Sequence, residues 1–213
     1  TKSASLEYGS ISIGASENAL RLILLSELEH FCARYPHVRI RLLNYSAPQA
    51  VKALENNIID FAIVSTPVLV HKHMHQEKLV SYDEILLGGT KYKQFAQQVH
   101  YLEDISEMPL IGLCEGSSTH THYSRFFMEH DLPFEPDMEA AMTDQVLPMI
   151  THNLGIGFYP KSLALEAIEK ELVFPIELTE PLPNRDVVVI TNNHTPINSA
   201  ARRFLEFLLE NRK

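Results

Sequence analysis

The chain has 213 residues, 45 % apolar and 21 % charged, with no tryptophan and a formal charge of −9. That length supports one large domain or two smaller lobes, and the acidic balance argues against nucleic-acid binding by this chain alone, because phosphates need clustered Lys and Arg. No apolar run approaches the ~20 residues of a membrane span, and no basic start with an apolar core and cleavage site indicates export, so a cytoplasmic location is expected.

Residues 1–8 read as a linker, and residues 10–14 (SISIG) as a first strand. After a turn at Gly14-Ala15-Ser16, Leu20, Leu24, Leu28, Phe31 and Tyr35 recur at spacings of three and four, the stripe of an amphipathic helix over 17–35 that Pro36 stops. Val38, Ile40 and Leu42 alternate with Arg39 and Arg41 as a strand. Ser46-Ala47-Pro48-Gln49 has the spacing of a capping box with Pro in the first turn, and Asn56-Asn57 suits the end of that helix. IIDFAIV (58–64) is a short buried strand. This β-α-β-α-β order predicts parallel pairing in an open α/β sheet.

A polar, His-rich stretch (71–77) reads as a surface loop, followed by strands in EILLGG (84–89) and MPLIGLCEG (108–116). A helix is expected over 118–130 and another over 144–153, where Pro148 should bend it or sit in its first turn. A strand at 154–160, a helix at 162–171, a strand at 186–191 and a helix at 198–212 complete the pattern.

Motifs for catalysis are missing: GLCEGSS is not G-x-S-x-G, and neither G-x-x-x-x-G-K-[ST] nor G-x-G-x-x-G opens a helix. The chain is therefore read as a non-enzyme without a cofactor. His71-x-His73-x-His75 could present imidazoles to a transition metal, with His120-x-His122 as a second pair, but no carboxylate or Cys is evident to close such a site. The expectation is a solvated loop and no metal. Cys32 and Cys114 are far apart and outside any C-x-x-C, as in a reducing compartment; Cys114 reads as a small buried hydrophobe.

The chain resembles the effector-binding domain of LysR-type transcriptional regulators. The likeness rests on GSISIGASENALRLILLSELEHFCARYP, VRIRLLNYSAPQAVKALENNIIDFAIV, PLIGLCEGSS, NLGIGFYPKSL and SAARRFLEFLL, in that order. Ser26 stands where Pro is usual in the family, and Asn57 where Gly is usual. The resemblance implies a periplasmic-binding-protein type II-like fold, two Rossmann-like α/β lobes joined by two crossover strands. Lobe I is placed at 9–81 plus 192–213 and lobe II at 82–191. It also implies a small-molecule effector, in keeping with a small organic acid, bound in an interlobe cleft. It further implies side-by-side dimers, with Leu22, Leu25 and Cys32 as the contact, and DNA binding through an N-terminal winged helix-turn-helix outside this chain. Peroxide-sensing members carry a reactive Cys where this chain has Ser118. A transport-type solute-binding protein of the same architecture is the alternative.

Helix N-termini supply amide N–H groups and a favourable dipole for an anion, and small side chains allow close approach. Ser16 and Asn18 occupy the first strand-to-helix turn, Ser65 and Thr66 follow the IIDFAIV strand, Glu115, Gly116, Ser117 and Ser118 follow PLIGL, and Thr143 opens a later helix. In the resembled family these segments contact effectors. Plain helix capping also accounts for Ser16, Ser117, Ser118 and Thr143. Glu115 opposes an anion unless it points away, and no Arg falls in these turns.

Overall fold

The structure is a computed structural model that describes residues 8–210 and Arg212; all of the expected linker except Tyr8 lies outside the described residues. Two compact units emerge, one formed by the described residues up to Ser81 and from Asp186 onward, the other by Tyr82–Arg185. Each holds a five-stranded sheet. The chain passes between units at 81/82 and again at 185/186, the second crossing six residues before the expected 191/192. The reason is that β10 (Arg185–Asn192) pairs antiparallel with β3 (Phe61–Ser65) from Val187 to Ile190, which ties that strand to the first unit.

In the first unit the sheet order is β2-β1-β3-β10-β4. Both β2 (Arg39–Asn44) and β3 run parallel to β1 (Ser10–Ala15), as two helical crossovers require. The first crossover, α1, comprises Glu17–Ala19, a π-helical turn at Leu20–Leu24 and Leu25–Arg34. In that turn the Leu25 N–H donates to the Leu20 carbonyl, five residues back, which rotates the apolar face. Ile23 therefore joins Leu24, Leu28 and Phe31 in the core, and Leu20 and Tyr35 are only half-buried. The second crossover, α2 (Ala47–Glu55), opens with the Ser46–Gln49 capping box and ends before Asn57, whose φ of 58° is left-handed.

Alternate side chains of β3 and β10 pack to opposite faces. Ala62, Val64, Val188 and Ile190 meet Ala50, Val51 and Leu54 of α2. On the other face Phe61 and Phe31 meet Phe204 of α7 (Ser199–Glu210), the Phe31 and Phe204 rings edge-to-face at 5.0 Å. The edge strand β2 departs from expectation, since Ile40 is only half-buried and Leu42 is exposed, while Leu43 and Tyr45 pack on the α2 cluster. At the opposite edge β4 (Met74–Tyr82) occupies much of the segment expected to be a loop. Only Met74, Leu79 and Tyr82 of it are buried, so its sequence looks polar.

The second unit has the order β7-β6-β8-β5-β9. Here β6 (Leu110–Leu113) runs parallel to β7 (Met138–Ala140) and β8 (Ile156–Pro160), and β5 (Glu84–Gly88) runs antiparallel to β8 and β9 (Phe174–Ile176). One face packs on α3 (Leu102–Ser106) and α4 (Ser118–Glu129) through Leu102, Ile105, Tyr123, Phe126 and Phe127. The other packs on α5 (Thr143–Thr151) and α6 (Lys161–Glu169) through Val146, Ile150 and Ala164. Helices thus cover both faces of a mixed sheet, as doubly wound folds require. Pro148 lies inside α5 rather than in its first turn.

Candidate functional site

In the first unit, β1 and β3 end together, with Ala15 opposite Ile63. The Ser16 N–H donates to the Ile63 carbonyl (3.1 Å), and the Ser16 Oγ accepts from the Ala19 N–H (3.4 Å), capping α1. In β1 just before this turn, Gly14 lets the Ile59 and Tyr45 side chains pack close, since a Cβ would lie 2.7 Å from Ile59 Cδ1 and 2.8 Å from Tyr45 Cδ2. Asn18 is buried in the first turn of α1, and Ser65 is buried at the end of β3. Thr66 donates its N–H to the Asp186 carbonyl (2.9 Å) and accepts from the Asp186 N–H through Oγ1 (3.0 Å). Strand pairing thus gathers Ser16, Asn18, Ser65 and Thr66 at the carboxyl ends of adjacent parallel strands, where open α/β sheets present ligands.

A second set lies at the carboxyl ends of β6 and β7, where the Cys114 N–H donates to the Ala140 carbonyl (3.2 Å). Glu115 and Gly116 are exposed, and Gly116 has a φ of +93°. Ser117 caps α4: its Oγ accepts from the His120 N–H and donates to the Cys114 carbonyl, both at 3.0 Å, so its donor is committed. Thr143 is the first residue of α5, whose start is closed by Gln145 Oε1 accepting from the Ala141 and Met142 N–H groups at 3.1 Å.

The sequence reading missed a buried arginine. Arg185, from the start of β10, places Nη1 2.9 Å from Glu84 Oε1 and from Thr119 Oγ1, and Nη2 2.9 Å from Ser118 Oγ. Both members of the ion pair are buried, Arg185 at 1 % exposure and Glu84 at 5 %. Burial opposes the guanidinium charge most strongly of any single influence, but Glu84 together with Tyr82 and Tyr123 outweighs it and holds the pKa above its ordinary value. Arg185 takes acceptor capacity from the Ser118 and Thr119 hydroxyls and leaves each an O–H to donate. Nearby, burial and then the Arg185 charge push the His122 imidazole down to about 4, and burial followed by Glu84 pushes the Tyr123 phenol up. No local pattern marks Arg185, because Ser118 lies 67 residues away and the residue reads as the polar flank of a strand.

Among the described residues, His120 and His122 join no group of donors close enough to hold a metal ion; the His120 Nδ1 lies 2.9 Å from the Leu113 carbonyl oxygen. The first histidine cluster contradicts its expectation in one respect: the end of α2 brings the Glu55 carboxylate to His71 and His73, whereas His75 pairs with Glu77. On α1, Leu25 is half exposed, and Leu22 and Cys32 are half-buried. A shallow depression of about 400 Å³ in the first unit is bordered by Tyr45, Lys52 and Ile58, and by no residue of the expected effector set.

Doubly wound α/β units linked by two chain crossings, with small polar turns at their strand ends, are the mark of periplasmic-binding-protein type II-like effector domains. The chain belongs to the LysR substrate binding domain family, which matches residues 4–213. Among curated relatives, a probable RuBisCO transcriptional regulator of Chlorokybus atmophyticus is 24 % identical over 204 residues, covering 93 % of this chain and 65 % of the relative. The HTH-type transcriptional regulator GltR of Bacillus subtilis (strain 168) is 22 % identical over 168 residues, covering 79 % and 55 %. The chain thus spans somewhat more than half the length of these relatives, both of them named as transcriptional regulators. Among solved structures, the effector binding domain of QuiR in complex with shikimate superposes with a TM-score of 0.83 at 15 % identity, covering 96 % of this chain and 97 % of that one. The CcmR regulatory domain of Synechocystis PCC6803 in complex with 2-PG gives 0.84 at 15 % identity, with the same coverage. Among the described residues, no helix is long and apolar enough to cross a membrane.

Proposed function

We propose that the chain is the effector-sensing part of a cytoplasmic LysR-type transcriptional regulator, and that its small polar strand-end turns recognise a small organic acid. The observation that carries this reading is the family match over residues 4–213. Ligand-bound neighbours such as the shikimate complex of QuiR support a small molecule as the signal. The chemistry of the turns supports an acceptor-rich one. Ser16 and Ser118 use their oxygens as acceptors within the protein and retain O–H donors, and they stand at or beside the N-termini of α1 and α4. Asn18, Ser65, Thr66, Gly116 and Thr143 complete the set. Glu115 is exposed and well hydrated, so it opposes an anion only weakly. Ser117, with its hydroxyl committed to the cap, contributes through backbone geometry.

Binding alters regulation only if the effector has different affinity for two arrangements of the protein. Self-association through Leu22, Leu25 and Cys32 of α1 carries that difference to a DNA-binding domain outside this chain. The test is calorimetric titration of an effector into the chain and into the Ser16→Ala/Asn18→Ala double variant. The reading expects affinity to fall by about ten-fold or more, the equivalent of one or two lost hydrogen bonds to a charged group. Unchanged affinity would leave Ser16 and Asn18 as structural residues only.

A further inference from the structure

Outside the effector turns, one side-chain cluster is built like a metal site. Glu55 ends α2, His71 and His73 sit in the turn that leads into β4, and all three belong to the first unit. A single carboxylate oxygen, Glu55 Oε2, lies 3.1 Å from His71 Nδ1 and 2.5 Å from His73 Nε2. The three potential ligand atoms fall within 4.8 Å of one another. Donors in a tetrahedral zinc shell stand about 3.4 Å apart for metal–ligand distances near 2.1 Å, so small side-chain rotations would let an ion replace the shared protons.

The backbone around the cluster is fixed from several sides. The Met74 N–H donates to the His71 carbonyl (3.0 Å), closing the turn that carries both imidazoles. The Asn193 N–H donates to the His73 carbonyl (2.9 Å), anchoring that turn to the end of β10. Thr195 Oγ1 donates to Asn57 Oδ1 (2.7 Å), joining the segment after β10 to the residues that follow α2. The His194 ring stacks on His73 at 4.5 Å with a 16° tilt, holding the imidazole plane. Glu55 and His71 are exposed and His73 is half-buried, so an ion reaches the donors from solvent without any rearrangement of the core.

We propose that Glu55, His71 and His73 form a binding site for a divalent transition-metal ion such as Zn²⁺, Ni²⁺ or Co²⁺, separate from the effector turns. Two imidazoles and one carboxylate suit ions of borderline softness and disfavour Mg²⁺ and Ca²⁺, which take oxygen shells. Three protein donors leave the remaining positions to water. His75 falls outside this group of donors and faces Glu77 Oε1 instead (3.0 Å). The site stands independently of the effector reading, so either can fail alone.

The test is titration of the 213-residue chain, freed of any polyhistidine tag, with ZnCl₂ by calorimetry and with CoCl₂ by visible absorption, using MgCl₂ as control. The expected result is saturation at one ion per chain for Zn²⁺ and Co²⁺ and none for Mg²⁺. Glu55→Gln and His73→Gln should each weaken Zn²⁺ binding by more than the roughly 10- to 100-fold that removing an outer-shell partner costs. His75→Gln should bind as the parent does, and melting curves of the metal-free variants confirm that each remains folded. Absence of saturable binding, or a Zn²⁺ affinity unchanged in Glu55→Gln and His73→Gln, would overturn the proposal. Loss of binding in His75→Gln alone would overturn the ligand assignment.

Discussion

At the scale of residues, the second unit depends on an ion pair taken out of water. Glu84 and Arg185 are both buried, and two further guanidinium donors go to Ser118 and Thr119. Removing one partner of such a pair strands the other charge, so Arg185→Met should lower stability by about 3–5 kcal/mol. The double variant Glu84→Gln/Arg185→Met should recover much of that loss. Urea unfolding of the two variants measures the difference, and equal instability would show that the ion pair itself is not what the core depends on. His122 gives a pH signature. Its folded pKa of about 4 lies below the unfolded value near 6.5. The unfolded chain therefore binds more protons in that interval, and stability contributed by neutral His122 is complete above pH 6.5 and lost as pH falls toward 4. A His122→Leu variant should lose less melting temperature than the parent between pH 6.5 and 5. Parallel curves would contradict the burial of a neutral imidazole.

At the scale of elements, the sequence was most readable where capping and periodicity agree. The Ser46–Gln49 box marks the start of α2 and is present in full, with Ser46 accepting from the Gln49 N–H and Gln49 from the Ser46 N–H. Ser46→Ala should cost about 1 kcal/mol by denaturant unfolding; no change would mean that packing alone sets that helix end. Less visible was the π-turn in α1, because a plain 3.6-residue period fits Leu20 and Leu24 equally well and nothing local announces the extra residue. Strands β7 and β9 have three residues each, too few to show alternation. The edge strand β4 escaped because one-sided burial leaves the polar run His75-Gln76-Glu77-Lys78 dominating its first half. Arg185 escaped for a different reason. Its partners come from β5 and α4, and pairings at such separations leave no local trace.

At the scale of the whole molecule, the order of elements was legible as two α/β lobes because parallel strands demand crossovers and crossovers demand alternation. Positions of the strand-end turns followed from the same logic, since each falls where an apolar strand gives way to small polar residues. What the turns bind is not legible there, for hydroxyls and amides suit many ligands. Self-association belongs at this scale too. Leu25 is exposed on the outer side of α1, so Leu25→Glu should shift sedimentation of the chain toward monomer at concentrations where the parent associates. Identical sedimentation would remove α1 from the contact. The most direct measurement of the central claim is a thermal-shift panel of small organic acids, amino acids and aromatic acids against the chain. Selective binding to the folded state raises the melting temperature in proportion to the logarithm of ligand concentration. The account predicts at least one organic acid that stabilises the parent and loses its effect in Ser16→Ala/Asn18→Ala. Stabilisation by such an acid that persists undiminished in the double variant would contradict it.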